Sequence, residues 1–129
     1  MGFSVVRPED LEWTTRPHEP DEAPRHVAGV TDRAGLRHTR ANLFRYEPGA
    51  RGRRHKDLAQ DETFVPLQGT LTMYLDDPPQ RHEVPVGGLI HVEAGTALQV
   101  VNEGEGDLVV FIYGAPPERG NAEFLDPAV

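Results

Sequence analysis

From residue 27 onward, apolar and polar positions alternate in short runs separated by turn residues. In TLTMYLDD, an extended chain places Leu71, Met73 and Leu75 on one face and Thr72 and Tyr74 on the other. In LIHVEAG, Ile90 and Val92 alternate against Leu89, His91 and Glu93. LRHTRANLFRYEPG, ETFVPLQG, RHEVPVGG, TALQVVNEG and LVVFIYG are β-type runs of similar length. The stretches DDPPQ and NEGEGD between them are turns. The pattern predicts about eight short strands at spacings of roughly 8 to 12 residues, with no competing segment of helical period. Such a chain forms an all-β barrel or two-sheet sandwich. Proline cannot donate to a strand ladder, so Pro66 is expected at a strand edge or bulge.

Residues 1–26 lack this alternation and contain four prolines among many charges. They predict an extended N-terminal arm, with a short strand at FSVV and with Trp13 anchoring it to the barrel or to a partner subunit. Residues 27–116 form the predicted barrel, and residues 117–129 a C-terminal tail.

A chain of 129 residues makes one domain with one substantial core. Its 13 glycines and 12 prolines suit strands joined by tight turns better than a helical bundle. The formal net charge of −8 argues against a broad nucleic-acid surface. One basic cluster, Arg51, Arg53, Arg54 and Lys56, is either a solvated loop or an anion-attracting rim beside a pocket. The absence of cysteine excludes disulfides, thiolate nucleophiles and zinc–sulfur sites. No apolar run reaches the ~18 residues of a membrane span, and no secretory signal is evident, so a cytoplasmic location without membrane contact is expected.

Two spacings carry candidate chemistry. Gly49 is followed by five residues, His55, one residue, Asp57, four residues, Glu62, six residues and Gly69. Further on, Gly87 is followed by five residues, Glu93, Gly95, two residues, Leu98, three residues and Asn102. These stretches resemble, interval by interval, the two motifs of the cupin superfamily: Gly, five residues, His-x-His, three or four residues, Glu, six residues, Gly; then Gly, five residues, Pro-x-Gly, two residues, His, three residues, Asn. The resemblance covers about residues 36–115 and implies a single-domain cupin β-barrel, also called a double-stranded β-helix or jelly-roll.

In the family, the two histidines and glutamate of the first motif and the histidine of the second bind one divalent ion. Carried over, those positions are His55, Asp57, Glu62 and Leu98, and leucine cannot ligate. The resemblance therefore implies a degenerate metal set of His55, Asp57 and Glu62 holding Mn, Fe(II), Ni or Zn. One imidazole and two carboxylates make a hard set favouring Mn, Mg or Fe(II) over Cu or Zn. Alternatively, His55 and Glu62 persist as a hydrogen-bonded pair in a metal-free pocket, acting as general acid and base. A carboxylate inside an apolar barrel should have a raised pKa. His38, His91, Tyr74 and Tyr113 are further candidates for the pocket, each with an outward-facing alternative.

Three functions remain open. The first is a cupin-type enzyme (isomerase, dehydratase, lyase, cyclase or dioxygenase) acting on a polar small-molecule metabolite. The second is a non-catalytic module binding such a ligand, favoured by an apolar wall at Leu98. The third is an interaction role, in which the barrel forms the homodimer common among the proteins it resembles and the N-terminal arm crosses to the partner.

Overall fold

The alternating runs pair into two antiparallel sheets in a computed structural model that describes residues 2–117 and 121–129. Among these residues the strands are β1 (Trp13–Thr15), β2 (Arg25–Gly29), β3 (Arg40–Tyr46), β4 (His55–Asp57), β5 (Asp61–Gln68), β6 (Leu71–Leu75), β7 (Gln80–Val84), β8 (Ile90–Val92), β9 (Ala97–Val101), β10 (Leu108–Ala115) and β11 (Ala122–Phe124). A single turn of helix, α1 (Thr31–Ala34), precedes β3. The larger sheet runs β1-β2-β3-β10-β5-β8, and the smaller runs β11-β4-β9-β6-β7. Non-consecutive neighbours in both sheets make this a jelly-roll rather than a meander. No helix among the described residues is long and apolar enough to cross a membrane.

The predicted inward faces meet between the sheets. Leu71 and Met73 from β6, Leu98 and Val100 from β9, and Leu108, Val110 and Ile112 from β10 form the core with Tyr46, Phe64 and Val92. Burial of this apolar surface is the main driving force for closing the two sheets on each other. Asn102 lies just beyond β9 and is buried. Its Nδ2 donates to the carbonyls of Tyr46 and Gly106, both at 2.8 Å, and its Oδ1 accepts from the Gly104 amide. It therefore holds the β9–β10 turn against the end of β3.

Pro66 sits where its missing N–H deprives nothing. The β5–β10 register shifts beside it, with Val110 opposite Pro66 and Val109 opposite Gln68, so Leu67 is the extra residue of a bulge. On the other side, β8 reaches only Glu62–Phe64 of β5. Gly69 ends the same segment with φ +78°, and a Cβ there would lie 2.9 Å from the Asp107 carbonyl. This close approach accounts for the glycine at that position.

The chain ends contribute more than extended segments. Phe3–Val6 form no strand, and Phe3 is exposed. Instead Trp13–Thr15 pair with β2, with the Arg45 guanidinium 5.6 Å from the centre of the Trp13 ring. Arg25 and His26 already belong to β2 and pair with Tyr46 and Arg45. At the other end, Ala122–Phe124 add to the edge of the smaller sheet beside β4. The buried Arg54 donates to the Asp126 carbonyl, and the Ala128 amide donates to Gln99 Oε1 at 2.8 Å. Residues 118–120 of the expected tail lie outside the described residues.

Candidate functional site

Strand alternation and register place the site. On β3, Arg40, Asn42, Phe44 and Tyr46 all point inward, because side chains two apart share a face. The β3–β10–β5 register sets Arg40, Gly114 and Glu62 in one row, and Asn42, Ile112 and Phe64 in the next. The smaller sheet supplies His55 and Asp57 from β4 and Leu98 and Val100 from β9, with His55 and Leu98 as cross-strand partners. Together these side chains enclose a cavity of about 400 Å³. Arg16, Arg25, Arg53, Gln60 and the tail residues Asn121 and Phe124 also line it.

Glu62 is the least satisfied polar group in this cavity. Its Oε1 is buried and has no hydrogen-bond partner among the described residues. Burial raises its pKa from 4.5 to about 7; the nearby Asp57 charge adds to the rise and Arg40 opposes it. Asp57 itself is engaged: its Oδ1 accepts the amides of Ala59 at 3.1 Å and Gln60 at 2.9 Å, closing the turn into β5.

The His55 ring lies 6.2 Å from that of Phe124, and its Nδ1 is 2.9 Å from the Arg53 carbonyl. A carbonyl can only accept, so Nδ1 carries the proton and Nε2 is left as the acceptor of the neutral ring. Tyr46 is buried at the cavity floor, and burial pushes its hydroxyl pKa up.

The three side chains expected as metal ligands thus share one cavity. They do not assemble into a set that could hold a metal ion, and no His, Asp and Glu cluster of that kind occurs among the described residues. Leu98 fills the fourth donor position with hydrocarbon, and one Asp57 oxygen is committed to two backbone amides. The residues present do not fit a resident divalent ion.

None of the other four candidates lines the cavity. His38 and His91 are exposed, with His91 Nδ1 held 2.9 Å from the Thr63 hydroxyl. The Tyr74 hydroxyl donates to Glu103 at 2.6 Å on the outer surface of the smaller sheet, and Tyr113 is exposed on β10. Of the basic cluster, only Arg53 lines the cavity. Arg51 and Arg54 instead bind backbone carbonyls of the tail.

Sequence reasoning missed Tyr46, Arg40, Arg25 and Arg16. Tyr46 and Arg40 were accessible from the period-2 pattern of RANLFRY once the inner face was fixed by Phe44. Arg16 and Arg25 carry no such signal, because β1–β2 pairing brings them in.

A family model described as a Cupin domain matches residues 42–113. No curated protein matches the sequence. Among solved structures, a sugar phosphate isomerase of the cupin superfamily from Silicibacter pomeroyi superposes with a TM-score of 0.74 at 24% identity, covering 88% of this chain and 76% of that one. The polyketide cyclase RemF from Streptomyces resistomycificus superposes with a TM-score of 0.77 at 17% identity, covering 96% and 86%. A predicted oxalate decarboxylase from Thermotoga maritima gives a TM-score of 0.73 at 15% identity over 86% and 97%. At these identities the likeness is one of fold.

Proposed function

The chain belongs to the cupin family, and from that premise we propose that it binds a small polar metabolite in its barrel cavity and moves a proton on that molecule through Glu62. The observation that carries the reading is the buried Glu62 oxygen without a partner, on a carboxyl whose pKa stands at about 7. Near neutrality such a group is present as both acid and base, the condition that favours general acid–base catalysis. Strongly perturbed carboxyls in clefts cluster at functional sites.

The simplest reaction these residues support needs no co-reactant. The Glu62 carboxylate takes a proton from a carbon next to a carbonyl of the ligand. The C–H electrons form a C=C bond, and the carbonyl π electrons move to oxygen as an enolate. Arg40, whose charge acts on Glu62, lies in the same row of the sheet to balance the developing charge. Return of the proton to the former carbonyl carbon, with the proton of the adjacent hydroxyl passing to the enolate oxygen, completes an isomerisation. His55 Nε2, left as an acceptor, is a second site for the proton in transit. Two of the structural relatives bear names in this range of chemistry, an isomerase and a cyclase.

The test is proton exchange in D₂O, followed by NMR across a panel of keto acids, aldoses and ketoses. Wild-type protein should place deuterium on a carbon next to a carbonyl of at least one bound compound, and Glu62→Gln should bind that compound without exchange. Binding without exchange by the wild type would instead favour a non-catalytic module, a role suited to the apolar wall at Leu98. Exchange undiminished in Glu62→Gln would remove Glu62 from the chemistry.

A further inference from the structure

Four arginines of this acidic chain have carboxylate partners nearby, but those around the cavity do not. Arg33, Arg45, Arg54 and Arg81 each lie within ion-pairing distance of an Asp or Glu. Arg16, Arg25, Arg40 and Arg53 all line the cavity, and none of them makes an ion pair among the described residues. Four guanidiniums lining one cavity, none of them in an ion pair among the described residues, run against a net charge of −8.

Three of the four form a group. The Arg16 amide donates to the Arg25 carbonyl at 2.9 Å. The Arg25 guanidinium donates to the Arg51 carbonyl at 3.3 Å, which holds it at the cavity. Burial, and the charges of Arg16 and Arg53, lower the pKa of Arg25; Glu22 and Tyr46 act in the opposite sense, and Glu22 forms no ion pair with it. Arg53 sits over the Phe124 ring of the tail, its guanidinium carbon 3.8 Å from the ring centre. Like charges gathered without an internal counterion are stabilised by an external one.

The two acids of the lining offset only part of this field of four guanidiniums. Asp57, whose charge also acts on Glu62, holds two backbone amides through Oδ1, and Glu62 is a carboxyl whose pKa burial pushes up to about 7. The lining also holds the apolar side chains Phe44, Phe64, Leu98, Val100 and Ile112.

We infer that the cavity takes an organic anion, whose carboxylate or phosphate docks on Arg16, Arg25 and Arg53 while its apolar body lies along Phe44, Phe64 and Leu98 with its reactive carbon toward Glu62. Guanidinium forks match both head groups in two-point contact. A cationic opening with low-dielectric walls also concentrates anions from solution. The inference rests on the cavity being the ligand site of the proposed proton transfer, and names the class of molecule it receives.

Benzoate, phenyl phosphate and benzamide are suitable probes, in calorimetric titration and thermal unfolding at fixed ionic strength. At least one of the two anions should bind and raise the unfolding temperature, and neutral benzamide should do neither. Preference between benzoate and phenyl phosphate identifies the head group. Arg25→Gln and Arg53→Gln should each weaken anion binding at least tenfold. Glu62→Gln should bind the anion as tightly as the wild type or more so. If Arg25→Gln fails to fold by circular dichroism, Arg16→Gln and Arg53→Gln, both at exposed positions, carry the comparison. The inference is overturned if neither anion binds, if benzamide binds equally, if added chloride reproduces the shift, or if the arginine variants bind as the wild type does. Proton exchange on neutral compounds alone would overturn this inference and leave the role of Glu62 standing. Arginine-dependent anion binding without exchange on any compound would do the reverse.

Discussion

Arg40 and Glu62 face the barrel interior from one row of the larger sheet, on either side of Gly114. The Arg40 charge acts on the acid across the strand and lowers its pKa. Asp57 acts on the same acid from the opposite sheet with the opposite sign.

The two neighbours should therefore shift the Glu62 titration in opposite directions. Arg40→Gln removes the charge that lowers the Glu62 pKa and should move its midpoint above about 7. Asp57→Asn removes the charge that raises it and should move the midpoint down. The asparagine keeps an Oδ1 acceptor for the Ala59 and Gln60 amides, so its stability should change by no more than about 1 kcal/mol. Carboxyl ¹³C NMR against pH reads both shifts. Movement of both variants in the same direction would contradict this account.

Glu62 also sets a pH dependence of stability. Its folded pKa of about 7 lies above its unfolded value of 4.5, so the native state holds the extra proton in that interval. Stability should fall as pH rises from about 4.5 through about 7 and then level off. At about 1.4 kcal/mol per pKa unit the loss is a few kcal/mol at most. Glu62→Gln cannot ionise, so denaturant unfolding should find it more stable than wild type at pH 8, with the advantage shrinking at pH 5. An equal difference at both pH values would assign the effect to packing instead.

Gly114 predicts a packing effect in the same row. A Cβ at this position would lie 2.4 Å from the Asp61 carbonyl and 2.9 Å from the Gln60 side chain. Gln60 is itself fixed, its Nε2 donating to the Pro116 carbonyl at 2.7 Å. Gly114→Ala should destabilise by about 1–3 kcal/mol, as overpacking does, and displace Gln60 into the cavity. At Gly106 an added Cβ meets nothing within 4 Å. Gly106→Ala should therefore stay within about 0.5 kcal/mol of wild type and serve as the control in urea unfolding.

The sequence carries the barrel and part of the site at different ranges. Leu71, Met73 and Leu75, or Ile90 and Val92, declare their strands through local alternation. His55, Glu62, Gly69 and Asn102 are legible because their spacing is fixed within single strand-and-turn units. The proline position at Pro66 is legible too, since one ring removes one donor. The arginine group is not. Arg16, Arg25 and Arg53 belong to separate segments and meet only after β1 pairs with β2 and β4 packs across from β3. The engagement of Asp57 is equally hidden, because spacing places the residue but not the direction in which its oxygen turns. The tail residues Ala122–Phe124 are too few to show a period, so their strand depends on the edge offered by β4.

Leu98 tests the reading of the site as metal-free. It is buried and is the cross-strand partner of His55, with paired Cβ atoms about 5 Å apart in such a register. Wild-type protein should therefore show no rise in unfolding temperature with Mn, Fe(II), Ni or Zn, and no fall after chelation. Leu98→His places an imidazole beside His55 and restores the donor type that leucine removed. Without metal, this variant should lose about 2–3 kcal/mol, since it exchanges buried hydrocarbon for a ring that needs hydrogen-bond partners. Added Ni or Zn should recover part of that loss, through a site built from His55, the new imidazole and Glu62. Isothermal calorimetry and thermal unfolding with each ion check both halves. A wild-type response to any of the four ions that His55→Ala abolishes would show that the native donors suffice. The proton-transfer reading would then have to be rebuilt around that ion.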